Sequence, residues 1–196
     1  MLDKIRDIEI ALKNKSYLSA LALALTLPDI CGEIEYPNIV FDDGKRNVGK
    51  QYAMWFDNWV NQYYADCKGW TRDYAKAKNP YFTGRMCYFL RCSFLHAGNS
   101  EIKEWGKKED KKYYYSYEFT LGVNGADSFG ESVSSNYTNQ SHGDLKKDKI
   151  KTVTINIDEL CKNICLSAEK YYHDKGSNHF EKYNTYLIDF DRGFPQ

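Results

Sequence analysis

The stretch from Met86 to Ala97 limits the possible folds more than any other part of the chain. It lies within a helix predicted over Thr83 to Ala97, with Gly98 and Asn99 as a natural C-terminal stop, and it is apolar almost all the way round. Apart from weakly polar Cys and Tyr residues, only Arg91, Ser93 and His96 interrupt it. A helix without a polar face has to be surrounded. It is either the central helix of a bundle or a helix covered by a partner subunit.

The remaining patterns are consistent with a bundle. From Gln51 to Tyr64, the residues Tyr52, Trp55, Phe56, Trp59, Val60 and Tyr63 recur at helical spacing and form one broad apolar face, which reads as core or dimer interface. Leu2 to Leu12 reads as a short helix. A second helix starts from a cap at Ser16, carries Leu18, Leu21, Ala22 and Leu25, and is stopped by Pro28. Asp29 to Glu35 is then a turn anchored by Cys31 and Ile34. Alternation of Tyr113, Tyr115, Tyr117, Phe119 and Leu121 with polar residues predicts a strand, and Val153, Ile155 and Ile157 predict another. Between them, Asn124 to Lys149 is rich in Gly, Ser, Asn and Asp and reads as a mobile loop. Asn156 with Glu159 resembles a capping box opening a helix with Leu160, Ile164 and Ala168, which runs to about Tyr172. Phe180 to Gln196 has room for one short element. The expected fold is mainly α: one domain, residues 1–196, a helical bundle of four to five helices with a two-stranded β-hairpin insertion and its mobile loop at about 113–157.

Composition removes several function classes. Lys+Arg and Asp+Glu are both 27, so the chain has no global basic field. Any nucleic-acid contact must then use a local patch or a surface composed by an oligomer. The 17 tyrosines offer apolar area with a polar tip, which suits partner surfaces. The six cysteines form no CxxC pair, which argues against a zinc ribbon. Met1 to Ile10 is charged and amphipathic rather than a signal peptide, and the apolar run Leu18 to Leu27 is too short to cross a bilayer. The expectation is a reduced, cytoplasmic protein without membrane contact, in which the sequons at Asn136 and Asn139 play no part. No Walker loop, dinucleotide fingerprint, HExxH or nucleophile elbow is present. Hydride transfer and P-loop chemistry are set aside, and neither cofactor nor metal is expected.

Arg91 and His96 need an explanation, because ionisable groups are expensive in an apolar helix unless paired. On a regular α-helix they stand about 140° apart and do not share a face. Two such helices related by a two-fold axis would place Arg from one and His from the other in a single cleft. The simpler readings are a buried ion pair of Arg91 with Asp29, Glu33 or Asp57, and a His96 that serves the orphan carbonyls at the helix C-terminus.

The hexapeptide Arg91-Cys92-Ser93-Phe94-Leu95-His96, followed by Ala-Gly-Asn, resembles the Arg-x(4-6)-His signature of the HEPN superfamily. These helical domains occur in toxins, abortive-infection proteins and CRISPR-associated ribonucleases. The resemblance covers about a dozen residues sharply and the helical order loosely. It implies metal-independent RNA cleavage by a homodimer in bacterial defence or a toxin–antitoxin system, with an antitoxin or other protein as a further partner. Arg91 would neutralise the scissile phosphate, and His96 would act as general acid or base on the ribose 2′-OH, since imidazole titrates near neutrality. Cys92 stands where active members often carry a polar residue, and Ser93 or Asn99 is the supporting hydrogen-bonding group in its place. The alternative is a HEPN-like module that binds RNA, a nucleotide or a protein without turnover.

The sequence also carries weaker signals. Cys92 reads as a core cysteine or as a thiol activated by Arg91. Cys161 and Cys165, one helical turn apart with His173 and His179 downstream, read as packing before metal ligation. The basic runs Lys107 to Lys112 and Lys146 to Lys151 flank the predicted strands. If the strands pair, both runs would form a basic rim beside the tyrosine-rich face, a combination that suits single-stranded RNA.

Overall fold

The computed structural model describes residues 1–64, 80–97, 101–103, 113–139 and 145–183. The chain is mainly helical with a mixed sheet. Helix α1 spans Leu2–Lys13, α2 Tyr17–Ala24, α3 Leu27–Glu35, α4 Val48–Trp59, α5 Gly84–Cys92 and α6 Ile157–Lys175. A 3-10 turn, Asn61–Tyr64, follows α4, and another, Ser177–Tyr183, follows α6. Residues 184–196 lie outside the described residues.

Two local expectations are corrected in the N-terminal third. Ser16 occupies the N-cap of α2, but its side chain makes no capping hydrogen bond. Pro28 does not stop a helix; it sits in the first turn of α3, where its missing N–H is an orphan in any case. Asp29–Glu35 is therefore helix rather than turn, and Cys31 and Gly32 face the core. The stretch Tyr17–Glu35 is long and apolar enough to cross a membrane by composition. Here it is divided between α2 and α3, and it buries Ala20, Leu21, Ala24, Leu25, Leu27 and Cys31.

The helix at the centre is α6, which packs against α1, α2, α3 and α4 and buries Leu160, Cys161, Ile164, Cys165, Ala168 and Tyr171. Of the two readings of the segment around Arg91, central helix or helix covered by a partner subunit, the first is not seen among the described residues. Helix α5 buries Met86, Cys87 and Leu90, whereas Tyr88, Phe89 and Phe94 are half-buried and Leu95 is exposed. Its contact with α4 is close. A Cβ at Gly84 would lie 2.2 Å from the Ala53 carbonyl oxygen, and the Gly84 amide donates to Asp57 at 2.7 Å. On α4 the residues Tyr52, Trp55, Phe56 and Val60 are fully buried, as the periodicity demands, but Tyr63 is exposed because the helix tightens to 3-10 before reaching it.

The insertion is more than a hairpin. Strand β1 (Glu101–Lys103) is short; β2 spans Tyr113–Gly122, β3 Ser128–Asn139 and β4 Leu145–Asn156, in the order β1-β2-β4-β3. The two expected strands, β2 and β4, pair in parallel from Tyr113↔Lys147 to Gly122↔Asn156, and β3 pairs antiparallel with β4. Much of the stretch expected to be a mobile loop is thus an edge strand, and the run Lys146–Lys151 lies within β4 instead of flanking it. Residues 123–127 span two strand positions so that β4 can lie between β2 and β3, and Asn124 adopts φ 60° in that turn. Asn156 ties the junction together. Its amide nitrogen donates to Asp127 at 2.7 Å, its side-chain amide donates to the Gly125 carbonyl at 2.7 Å, and its side-chain oxygen accepts from the amides of Asp158 and Glu159. The capping box is therefore half present, with Asp127 filling the reciprocal role expected of Glu159. Phe82 joins sheet to bundle, packing edge-on against Phe56 and Phe119.

Candidate functional site

Helix α5 begins at Thr83, whose hydroxyl accepts from the Met86 amide at 3.3 Å. It does not continue as a regular helix to Ala97. After Cys92 the backbone widens into a π turn over Ser93–Ala97. In a π turn hydrogen bonds span five residues, so each residue advances less around the axis than on an α-helix. Positions 91 and 96 therefore stand nearer one side than the 140° separation expected from the sequence. Ser93 is buried within the turn. The side chain of His96 and the whole of Asn99 lie outside the described residues.

Arg91 has a partner. Its Nη2 lies 3.0 Å from Asp29 Oδ2, and the two side chains are 18% and 19% exposed. Of the three carboxylates the sequence offers, Asp57 is engaged elsewhere, with Gly84 and Asn61. Glu33 belongs to the same network one step removed. Asp29 Oδ1 accepts from Arg46 Nη2 at 2.7 Å, and the same nitrogen reaches the Asp29 carbonyl at 2.8 Å. Arg46 Nη1 lies 3.1 Å from Glu33 Oε2, and Lys182 closes the chain at 2.7 Å from Glu33 Oε1. The result is a ladder of alternating charge, Arg91–Asp29–Arg46–Glu33–Lys182, from α5 across α3 to the 3-10 turn after α6. Its three cations exceed its two carboxylates by one. Arg91 Nε is buried and has no partner among the described residues.

The ladder tunes its members. Burial raises the Glu33 carboxyl, but the Lys182 hydrogen bond and the Arg46 charge outweigh it, so Glu33 ionises below the usual carboxylate value. Glu35 is likewise raised by burial and lowered further by Lys175 and the Tyr171 hydroxyl. Beside Arg91, burial and the neighbouring Cys92 push the Tyr88 hydroxyl up.

Arg46, Gln51 and Lys182 were not singled out in the sequence. Gln51 carried a readable signal, since it lies on the apolar stripe of α4 one turn before Trp55. It is fully buried, receives Arg46 Nε on its side-chain oxygen and donates to the carbonyls of Tyr36 and Ile39. Arg46 sits in a polar loop and carried no such signal.

Cys92 is half-buried and free, while Cys161 and Cys165 are packed in the core with thiols pushed up by burial, Cys165 to about 12. No group of three or more His, Cys, Asp or Glu that could hold a metal ion is found among the described residues. Lys107–Lys112 fall outside them. Away from the ladder, a cleft of about 420 Å³ is lined by Tyr63, Tyr81, Asp127, Phe129 and Glu159. No family model, curated protein or solved structure matches the chain.

Proposed function

We propose that the chain is a metal-independent endoribonuclease of HEPN type, acting as a homodimer in the cytoplasm within a bacterial defence or toxin–antitoxin system. The observation that carries the reading is the π turn between Arg91 and His96. The two ionisable residues of the signature bracket a local widening of the helix, a feature that recurs at functional sites. The partly exposed apolar side of α5, with Tyr88, Phe89, Phe94 and Leu95, supports a second subunit against this helix. Asp29 supports a positioning role, because it fixes the Arg91 guanidinium while being shared with Arg46, so Arg91 is held without being fully neutralised.

In this reaction Arg91 stabilises the charge developing on the phosphate. The His96 imidazole takes the proton from the 2′-OH as that oxygen attacks the adjacent phosphorus, and the 5′-oxygen leaves with a proton returned by a general acid. The products are a 2′,3′-cyclic phosphate and a 5′-hydroxyl. Ser93 and Asn99 are the supporting polar groups.

A second reading, a HEPN-like binding module for RNA, a nucleotide or a protein without turnover, is favoured by two observations. Arg91 is already ion-paired, and Cys92 follows it. Incubating wild type and His96→Ala with mixed RNA in EDTA and mapping product ends decides between them. Cleavage with cyclic phosphate ends that falls by about 100-fold or more in the variant is the expected result. Cleavage that EDTA abolishes overturns the mechanism, and RNA bound without any product leaves the binding module.

A further inference from the structure

The cleft where the sheet meets the bundle is built from residues that the RNA chemistry does not use. Its volume of about 420 Å³ suits a small molecule, since ligand sites run from roughly 300 to 1,000 Å³. Aromatic rings make much of its wall. Phe129 lies against Tyr81 by one face, ring centres 5.2 Å apart and planes 7° from parallel, and still leaves 54% of its surface in solvent. Tyr63 is exposed as well. Tyr64 stands edge-on to Tyr81 and is only 1% exposed, yet its hydroxyl has no hydrogen-bond partner among the described residues. Burial pushes that hydroxyl well up, and Asn163 and Asp127, both in the cleft wall, act on it, which sets it on the cleft side of the ring.

The charge of the cleft is negative. Asp127 Oδ1 accepts from the Asn156 amide and Oδ2 from the Tyr81 hydroxyl, both at 2.7 Å. These donors are neutral, so they fix the carboxylate without cancelling its charge. Glu159 shares its cation: Lys162 lies 3.5 Å from it and closer to Asp158. None of the residues lining the cleft is basic. Helix α6 opens here and its N-terminus adds about half a positive charge, but Asn156 already caps the amides of Asp158 and Glu159. One ammonium and that half-charge stand against three carboxylates.

We infer that this cleft binds a small organic cation, a free amine whose ammonium group is carried on an aromatic body. The ammonium belongs with Asp127 and Glu159, whose fields add in a partly buried place. Its protons are what the Tyr64 hydroxyl oxygen lacks. The body lies along Phe129 and Tyr63, whose ring faces attract both another ring and a cation. A phosphate or carboxylate is refused by the same charge. The exposed ring area favours a ligand with a ring of its own over the unringed stem of a partner's lysine. This goes beyond the nuclease reading and does not depend on it, since Arg91 and the ladder take no part.

Titration of the full chain with three probes of one shape tests this, by calorimetry and saturation-transfer NMR: phenethylamine, protonated at neutral pH, phenylethanol, which is neutral, and phenylacetate. Phenethylamine should bind about fivefold or more tighter than phenylethanol, and phenylacetate should not bind. Glu159→Gln and Phe129→Ala, at exposed positions where the fold is not at risk, each weaken phenethylamine about threefold or more. Tyr64→Phe weakens it about threefold or more while the melting temperature stays or rises, because the lost hydroxyl had no partner to leave behind. His96→Ala binds phenethylamine as the wild type does. Nα-acetyl-lysine methylamide, with the ammonium of a protein side chain, binds more weakly than phenethylamine. No binding of phenethylamine at millimolar concentration, equal binding of phenylethanol or phenylacetate, or unchanged affinity across the three cleft variants overturns the site. Tighter binding of the lysine derivative overturns the free amine as occupant and gives the cleft to a partner's lysine.

Discussion

Asp29 holds two arginines on one carboxylate, and that asymmetry orders the expected effects of substitution. Arg91→Ala leaves Asp29 paired with Arg46, so the loss of stability is modest, about 1 kcal/mol. Asp29→Ala leaves Arg91 charged, largely buried and without a counterion, and the loss is larger, about 2–4 kcal/mol. Urea denaturation of the two variants measures the order, and a reversed order would remove Asp29 from the centre of the ladder. The carboxylates Glu33 and Glu35 carry a pH signature. Their folded pKa values lie below their unfolded ones, so their contribution is complete above the ordinary carboxylate pKa and is lost as pH falls through the folded values. Asp57 has the opposite sign, since burial raises its carboxyl and protonation relieves the fold. Thermal melts between neutral pH and about pH 3 should therefore drop more steeply for wild type than for Glu33→Gln with Glu35→Gln. Arg91 was legible because a charge on an apolar helix demands a partner. The partner was legible only as one of three carboxylates, Asp29, Glu33 or Asp57, because Asp29 lies 62 positions away in a stretch that reads as a turn.

Elements meet through a few close approaches, and these are the places where small changes act strongly. Gly84→Ala would push a methyl group to 2.2 Å from the Ala53 carbonyl oxygen, where backbone rather than a flexible side chain must yield. A loss of about 2 kcal/mol or more is expected, measured by chemical denaturation. Asn156→Ala removes both the α6 cap and the bond to Gly125, which predicts a loss of about 1–2 kcal/mol, with α6 and the 123–127 turn affected together in hydrogen exchange. The sequence revealed β2 and β4 because alternating Tyr, Phe, Val and Ile mark a half-buried strand. It hid β3, whose Ser-Phe-Gly-Glu-Ser-Val-Ser-Ser run has the composition of a loop and is a strand through its pairing with β4. Strand preference depends on such context more than helix preference does. It also hid the direction of pairing, since alternation assigns faces and not neighbours.

At the scale of the molecule, a second subunit against α5 predicts a sedimentation-equilibrium mass near twice 22.9 kDa. Leu95→Glu, at an exposed position, should halve it without lowering the monomer's own melting temperature; a wild-type mass of one chain would sink the dimer. The bundle was readable as a class from helical periodicity, but its centre was not. Among the described residues the amphipathic α6, and not the helix that reads as apolar on all sides, occupies the middle, because periodicity records how much of a helix is covered and not by what. The position of β4 has a further consequence, for biosynthesis. Strands β2 and β3 leave the ribosome first, and in the finished sheet they do not pair with each other, since β4 lies between them. A nascent chain at that stage lacks the strand that β2 and β3 both pair with, and α6 does not yet exist. Residues 145–175 then complete the sheet and supply the helix that covers the core in one continuous step. A transcript truncated before that point yields an unfinished chain with unpaired strands, prone to join others, so the translation of one late segment separates a folded product from an aggregating one.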